Sequence, residues 1–209
     1  MLIGIDASRA VKNQKTGTEY YSEEIIYNLS LIDQKNDYIL YSPNMPTTGK
    51  LLRLPKNFTW KIMPFPRLWS QTRLSCEILF GNPKPDVMFE PAHTIPIFCH
   101  KNSVVTLHDL GFKYYPELYT RFERFYHNWC MDFSQKHAKH IITPSQYTKD
   151  DLVKIYHLDP KKITVIYHGY NKELYYPSSV ISDPLSVNRK LKTDNRKLTT
   201  SPYIFFVGR

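Results

Sequence analysis

An open, mainly parallel α/β sheet with helices on both faces is the architecture this sequence predicts, and three observations carry it. Short apolar runs recur along the chain, each closing on a polar or glycine-containing turn. Most are followed by a segment of helical periodicity, the rhythm of strands joined by crossover helices. The residues of unusual chemistry then gather where those runs end, the edge at which open parallel sheets take their ligands.

The elements follow in order. Leu2 to Asp6 is the first strand. Gly17-Thr18 opens a helix in which Tyr21, Ile25, Leu29 and Ile32 share one face, expected to pack on the sheet. Tyr38 to Tyr41, Thr59 to Met63, Val87 to Phe89 and Val104 to Leu107 supply four more strands. Phe122, Phe125, Tyr126, Trp129 and Phe133 then follow i, i+3, i+4, i+7 and i+11, so this aromatic stripe too is expected to face the sheet. His140 to Thr143 is the sixth strand. Pro144 discourages its continuation into a helix and Ser145 is a good N-cap for a helix through Tyr156. Ile163 to Ile166 is the seventh strand, and no internal repeat interrupts the series.

Residues 1–177 therefore read as one domain. Residues 178–201 read as a polar, basic linker, with Arg189, Lys190, Lys192, Arg196 and Lys197 against Asp183 and Asp194 and with neither aromatic nor glycine. Residues 202–209 close on Tyr203-Ile204-Phe205-Phe206-Val207-Gly208-Arg209, an apolar β-type run that reads as the first strand of a further domain.

Composition narrows the function classes. The chain has 209 residues, 42% hydrophobic, with 16 Tyr and 11 Phe, enough for a packed body. Its net charge of +9 suits phosphorylated ligands or an anionic membrane surface. No motif interleaves aromatic with basic residues in the manner of a nucleic-acid site, so no nucleic acid is expected as a partner. Cys76, Cys99 and Cys130 are widely spaced and form no C-x-x-C pair, which favours reduced thiols. No segment is apolar for the length of a membrane span, and a cytoplasmic protein that touches a membrane peripherally is expected. Neither H-E-x-x-H nor D-x-D occurs, so no bound metal is expected, and the absence of G-x-G-x-x-G and of a P-loop removes the usual dinucleotide and triphosphate fingerprints.

At the predicted carboxyl edge stand Asp6 to Arg9, Glu90 to Pro96, His108-Asp109, Pro144-Ser145 and His168-Gly169. His108 beside Asp109 can be oriented by that carboxylate and can exchange a proton with a ligand oxygen, or the pair can cap the following turn. His93, between Pro91 and Pro96, reads equally as a site residue or as a stiffener of its loop. Gly17-Thr18, after Lys12 and Lys15, offers backbone N–H groups to a phosphate at a helix start. His168-Gly169 reads as a turn with glycine at positive φ, and Asp150-Asp151 as a solvated helix face.

Taken in order, Ile5-Asp6 to Arg9 with Gly17-Thr18, Pro91-Ala92-His93-Thr94-Ile95-Pro96 and Val104 to Leu110 resemble the N-terminal lobe of family 4 glycosyltransferases. Ile142-Thr143-Pro144-Ser145 through Thr148 and Asp151, then Val165 to Gly169, continue the resemblance. It implies half of a GT-B fold, two Rossmann-like lobes of which this would be the acceptor-side one. It further implies transfer of a sugar from a nucleotide-sugar to a glycan or lipid-linked acceptor with retention of configuration and no metal or other cofactor. By the same resemblance His108 and Asp109 are the catalytic pair, and Gly17, Thr18 and Arg209 lie by the diphosphate. His93, Arg9 and Ser145 belong to the acceptor side. Family members carry most donor contacts on a C-terminal lobe, so this chain alone is expected to turn over little and to need that lobe, which a separate chain could supply. A stand-alone, non-catalytic module for glycans or lipid head groups is the competing expectation.

Overall fold

Seven strands form a single sheet in the computed structural model, which describes residues 1–169. They are β1 (Leu2–Asp6), β2 (Asp37–Ser42), β3 (Phe58–Ile62), β4 (Val87–Glu90), β5 (Ser103–Thr106), β6 (His140–Thr143) and β7 (Ile163–Val165). Among the described residues every apolar run read as a strand is one, with ends moved by at most one residue. All neighbouring pairs are parallel, in the spatial order β3-β2-β1-β4-β5-β6-β7. The chain thus builds outward from β1 to β3, returns to lay β4 on the other side of β1, and continues in the opposite direction. The β1/β4 junction is the topological switch point, where the loops after the two strands diverge and leave a crevice.

Both faces of the sheet are covered. On β2, Tyr38 and Leu40 join one buried cluster with Ile5 and Ile26, while Ile39 and Tyr41 join another with Met63, Trp69, Leu74 and Met88. Alternate residues of a single strand being buried on opposite sides is the signature of a sheet packed by helices on both faces. Helix α1 (Gly17–Ile32) supplies Ile26 to the first cluster. Leu74 and α2 (Ser75–Phe80) lie on the second side. Beyond β4, α3 (Gly111–Tyr114), α4 (Arg121–His137) and α5 (Gln146–Tyr156) surround a third cluster with Val105, Leu107, Met131, Ile141 and Leu152. Gly4 marks how tightly the centre is packed: a Cβ there would come within 2.8 Å of the Met88 sulfur and 2.9 Å of the Tyr41 ring.

Two helix faces differ from expectation. On α1 the fully buried positions are Glu19, Ser22, Glu23, Ile26 and Ser30. Ile25 and Leu29 flank them half-buried, and Ile32 is 78% exposed. On α4 the buried residues are Cys130, Met131 and Ser134, whereas Phe122 and Phe125 are 71% and 69% exposed. The physical reason lies at Ser134, whose hydroxyl donates to the His93 carbonyl (3.0 Å) and accepts the Ile95 N–H (3.2 Å). So close an approach to the loop after β4 admits small side chains there and leaves Phe122 and Phe125 outside, while Phe133 packs half-buried against the third cluster. Trp129 stacks on Phe133 at 5.5 Å and Phe133 on His137 at 4.1 Å. The expectations for residues 178–209, including the linker, the terminal strand and Arg209, lie outside the described residues.

Candidate active site

The loop after β4 and the loop after β5 are locked to each other at the switch-point edge. The His108 ring sets its Nε2 2.8 Å from the carbonyl of Pro91. A carbonyl only accepts, so Nε2 carries the proton and Nδ1 keeps its lone pair, with no partner among the described residues. The backbone N–H of His108 in turn points at Nδ1 of His93 at 3.4 Å, so that nitrogen is also unprotonated and the His93 proton sits on Nε2. From α5, the Thr148 hydroxyl donates to the His108 carbonyl (3.2 Å), and the Ser145 hydroxyl lies 2.9 Å from Thr148 Oγ1 while it accepts the Thr148 N–H. Ser145 is thus the N-cap foreseen for α5. Its hydroxyl is occupied by that cap.

Around His108 the rings converge. Tyr21 meets it edge-on at 4.8 Å, His93 at 5.0 Å, and His168 lies stacked at 5.7 Å. The Tyr21 hydroxyl reaches Thr106 at 3.2 Å, which seats the start of α1 over the end of β5. Burial, and after it the neighbouring His108 imidazole, pushes His93 down to about 4. Burial also lowers His108 and His168. The cluster is therefore neutral at physiological pH, and it offers hydrogen bonds and a lone pair rather than charge.

The cations stand at the rim, on the loop before α1. Arg9 and Lys12 both reach Glu19 Oε1, at 3.0 and 3.3 Å, and Lys15 pairs with Glu23 at 2.5 Å. Burial tends to raise Glu19, but the hydroxyl and N–H of Thr16 together with Arg9 outweigh it and hold the carboxyl at about 2. Glu19 thus closes the first turn of α1 while leaving Gly17 open, since a Cβ there would meet no atom within 4 Å. The loop keeps one net positive charge at a helix N-terminus, a setting that suits an anion.

Beneath the rim lie two acids. The β1/β4 register, with Ile5 opposite Phe89, sets Asp6 beside Glu90. Asp6 accepts the Ser8 N–H and the Ser70 hydroxyl, both at 2.9 Å, yet burial raises it. Glu90 is fully buried and neither carboxylate oxygen meets a hydrogen-bond partner. Burial first and Asp6 second push it well above the ordinary carboxylate range, so it is held as the neutral acid.

On the α4 side a cavity of about 100 Å³ opens between His93, Asp109, Phe112, Tyr119, His127 and Met131. Asp109 does not orient His108 as its adjacency suggested. Its Oδ1 accepts the Gly111 N–H at 2.9 Å and caps the turn into α3. Two other expectations are corrected. Asp151 is 7% exposed and accepts the Tyr114 hydroxyl at 2.5 Å, while only Asp150 is solvated. Gly169 does not take a positive φ; among the described glycines only Gly49 does, at 92°. Tyr21 and His127 have no place in the expected site, and Glu90 and His168 stand on the expected edge without an assigned role. His127 had a signal, since His127, Cys130, Met131 and Ser134 also repeat at i, i+3, i+4 and i+7. Among the described residues no cluster of three His, Cys, Asp or Glu could hold a metal ion, and no helix is long and apolar enough to cross a membrane.

Known proteins share this framework. The crystal structure of HepE from Anabaena in complex with UDP-glucose superimposes with a TM-score of 0.53 at 14% identity, over 85% of this chain and 46% of HepE. Its complex with UDP and glucose gives 0.52, also at 14% identity, over 85% and 47%. At that identity the likeness is one of fold. In sequence, the O-antigen chain mannosyltransferase RfbU of Salmonella typhimurium is 34% identical over 131 residues, 62% of this chain and 34% of RfbU. The chain therefore spans about a third of that relative's length. The model of Glycosyltransferase Family 4 matches residues 30–174, most of the chain. With the parallel sheet and the switch-point histidines already placed, the chain belongs to glycosyltransferase family 4.

Proposed function

We propose that this domain provides the acceptor side of a glycosyltransferase. The intact enzyme moves a hexosyl group from a nucleotide-sugar to a hydroxyl of a glycan or lipid-linked acceptor, with retention and without a metal ion, and this chain alone turns over little. The single observation behind the reading is the convergence of neutral His93 and His108 at the switch point, on a chain of this family. In the reaction the bond from the sugar C1 to the diphosphate oxygen breaks, a bond from C1 to the acceptor oxygen forms, and nucleoside diphosphate and a proton are released.

Each residue has a role it can fill. His108, fixed by Pro91, turns its free Nδ1 toward sugar hydroxyls and is suited to accept one of their hydrogens. His93 holds the His108 backbone and presents its Nε2–H at the acceptor side. Gly17 and Thr18, with Arg9 behind them, lie where a leaving diphosphate gains from backbone N–H groups and positive charge, and Arg209 joins them by family resemblance. The exposed Phe122 and Phe125 beside Arg121 and Arg124 support peripheral contact with an anionic membrane surface at the cytoplasmic face.

Incubation of the purified protein with labelled nucleotide-hexoses and glycan or lipid acceptors tests the reading. Release of nucleoside diphosphate coupled to a new glycoside of the donor's anomeric configuration, undiminished by chelator, is expected when a C-terminal lobe is supplied, and little release when the chain is incubated alone. Saturable glycan binding with no nucleotide release even with that lobe present would favour the non-catalytic module instead. Co-sedimentation with anionic but not neutral vesicles is expected for the membrane contact, and Phe122→Ser with Phe125→Ser should abolish it.

A further inference from the structure

We propose that Tyr21 is a positioning residue for His108, its ring fixing the plane of the imidazole so that the free Nδ1 keeps one direction, an inference that rests on the glycosyl-transfer reading. One hydrogen bond cannot do this alone. The 2.8 Å contact from Nε2 to the Pro91 carbonyl holds a single atom of the ring. The outer torsion of a histidine is broad and roughly two-fold, so the ring can still swing about that contact or turn over and offer Nδ1–H to the same carbonyl. The bond to His93 Nδ1 comes from the His108 backbone N–H and leaves the side chain free.

Packing supplies the missing constraint. The Tyr21 ring stands at 86° to the imidazole with centroids 4.8 Å apart, and His93 closes another side at 68° and 5.0 Å. Two rings set across the imidazole plane oppose both the swing and the turnover.

Tyr21 is itself anchored to the strand that leads into His108. Its hydroxyl reaches Thr106 Oγ1 at 3.2 Å, and it is the only side-chain partner of that fully buried hydroxyl among the described residues. The phenol is thus tied at its tip to the end of β5 while its ring bears on the imidazole just beyond. His168, at 5.0 Å, backs it from a further side.

Tyr21 also lies one turn beyond Gly17 on α1. A single side chain therefore sets the spacing between the helix start that faces the leaving diphosphate and the ring that faces the sugar hydroxyls. Preorganisation of that kind is what transfer between two bound groups requires.

Imidazole nitrogen NMR on the histidine-labelled chain reads the tautomer of His108 directly, with His108→Gln to assign its signals. Wild type is compared with Tyr21→Phe and Tyr21→Leu, and thermal melts confirm that each is folded. Both variants leave the Thr106 hydroxyl without its partner, so both should melt below wild type. Only Tyr21→Leu removes the ring. Wild type and Tyr21→Phe should show His108 as a single Nε2–H tautomer, and Tyr21→Leu a mixture of the two. Should Tyr21→Leu unfold, Tyr21→Met repeats the removal with a longer side chain. With a C-terminal lobe supplied, kcat should fall by about 10²-fold in Tyr21→Leu, the scale for a misplaced reacting group, with KM nearly unchanged and Tyr21→Phe close to wild type. The proposal is overturned if the folded variant without the ring keeps the single tautomer, or if Tyr21→Phe loses it equally, since the ring would then not hold the plane. Equal kcat in Tyr21→Phe and Tyr21→Leu would overturn it as well. Absence of turnover in wild type with the lobe present, while the tautomers behave as expected, overturns the transfer reading and leaves the positioning of His108 standing.

Discussion

At the amino-terminal edge of the sheet the carboxylates Asp33 and Asp86 lie near solvent and are paired, whereas at the carboxyl-terminal edge the acids Asp6 and Glu90 are buried and Glu90 lacks partners. Asp33, just before β2, accepts the Lys35 N–H (2.9 Å), the Asn36 side-chain amide (2.7 Å) and the Tyr38 hydroxyl (2.6 Å). Asp86 accepts the Leu2 N–H at 2.8 Å, and the terminal ammonium meets Asn36 at 3.0 Å. At the opposite edge both oxygens of Glu90 and the hydroxyl of Thr143 are buried without partners, and Asp6, Glu90, His93 and His108 all shift toward their neutral forms. Stability alone explains the first edge. Nothing in folding rewards the second, because an unpaired buried polar group costs about 1–3 kcal/mol. One sheet thus separates a structural end from a reactive one.

The sharpest way to break that division is to truncate one residue at each edge. With a C-terminal lobe supplied, His108→Ala should lower transferase turnover by about 10²–10⁴-fold, the range for removing a group that handles a proton. Melting temperature should change little, since one hydrogen bond to Pro91 is lost. Asp33→Ala should leave turnover unchanged. If His108→Ala retained more than about a tenth of wild-type turnover, against that expected range, the reactive label would be misplaced.

Glu90→Gln asks whether the carboxyl edge is held at the expense of stability. The sign follows from the raised carboxyl. Above the ordinary range near 4.5, the unfolded chain releases the Glu90 proton while the folded chain keeps it, so wild-type stability falls as pH rises. Gln cannot ionise. The variant should therefore melt higher than wild type at pH 8, with the gain shrinking toward pH 5. A gain independent of pH would mean that Glu90 is ionised in the fold.

How much of this was legible in the sequence depends on whether the cause was local. A strand buried on both faces needs only its own short apolar run, so β1 to β7 could be read directly, and their polar ends, His93 and His108 among them, fell on the correct edge. The partner of His108 could not be read. Adjacency pointed to Asp109, but the loop after β4 brings Pro91 to the ring from seventeen residues upstream. Helix α4 failed for a related reason. Two stripes repeat at helical spacing, Phe122 to Phe133 and His127 to Ser134, and side-chain volume favoured the first. The second is buried because Ser134 bonds to the His93 loop, a contact that no helical pattern encodes.

A smaller effect comes from His93. Its folded value of about 4 lies below the ordinary 6.5, so between those values the unfolded chain binds a proton that the folded chain does not. Stability contributed by the neutral ring is complete above pH 6.5 and is lost progressively as pH falls to 4. Thermal melts across that window should show a steeper decline for wild type than for His93→Gln. Parallel curves would show that His93 is free to ionise and that the lock on His108 is loose.

The smallest effect tests the structural edge by itself. The Asn36 amide, then the Tyr38 hydroxyl and the Lys35 N–H, hold the Asp33 carboxyl well below its ordinary range, with little opposition from burial. A depressed carboxylate stabilises the fold above its unfolded pKa, and that contribution disappears as the solution is acidified through the folded value. Asp33→Asn should therefore melt modestly below wild type at neutral pH, and the gap should narrow on strong acidification. The effect is modest because the group is exposed and its partners can turn to water. Its direction is opposite to that of Glu90→Gln: replacing an ionisable carboxyl by an amide lowers stability at one edge and raises it at the other. Melts of both variants at neutral pH compare the edges directly, and two shifts of the same sign would show that burial and pairing do not divide the sheet as described.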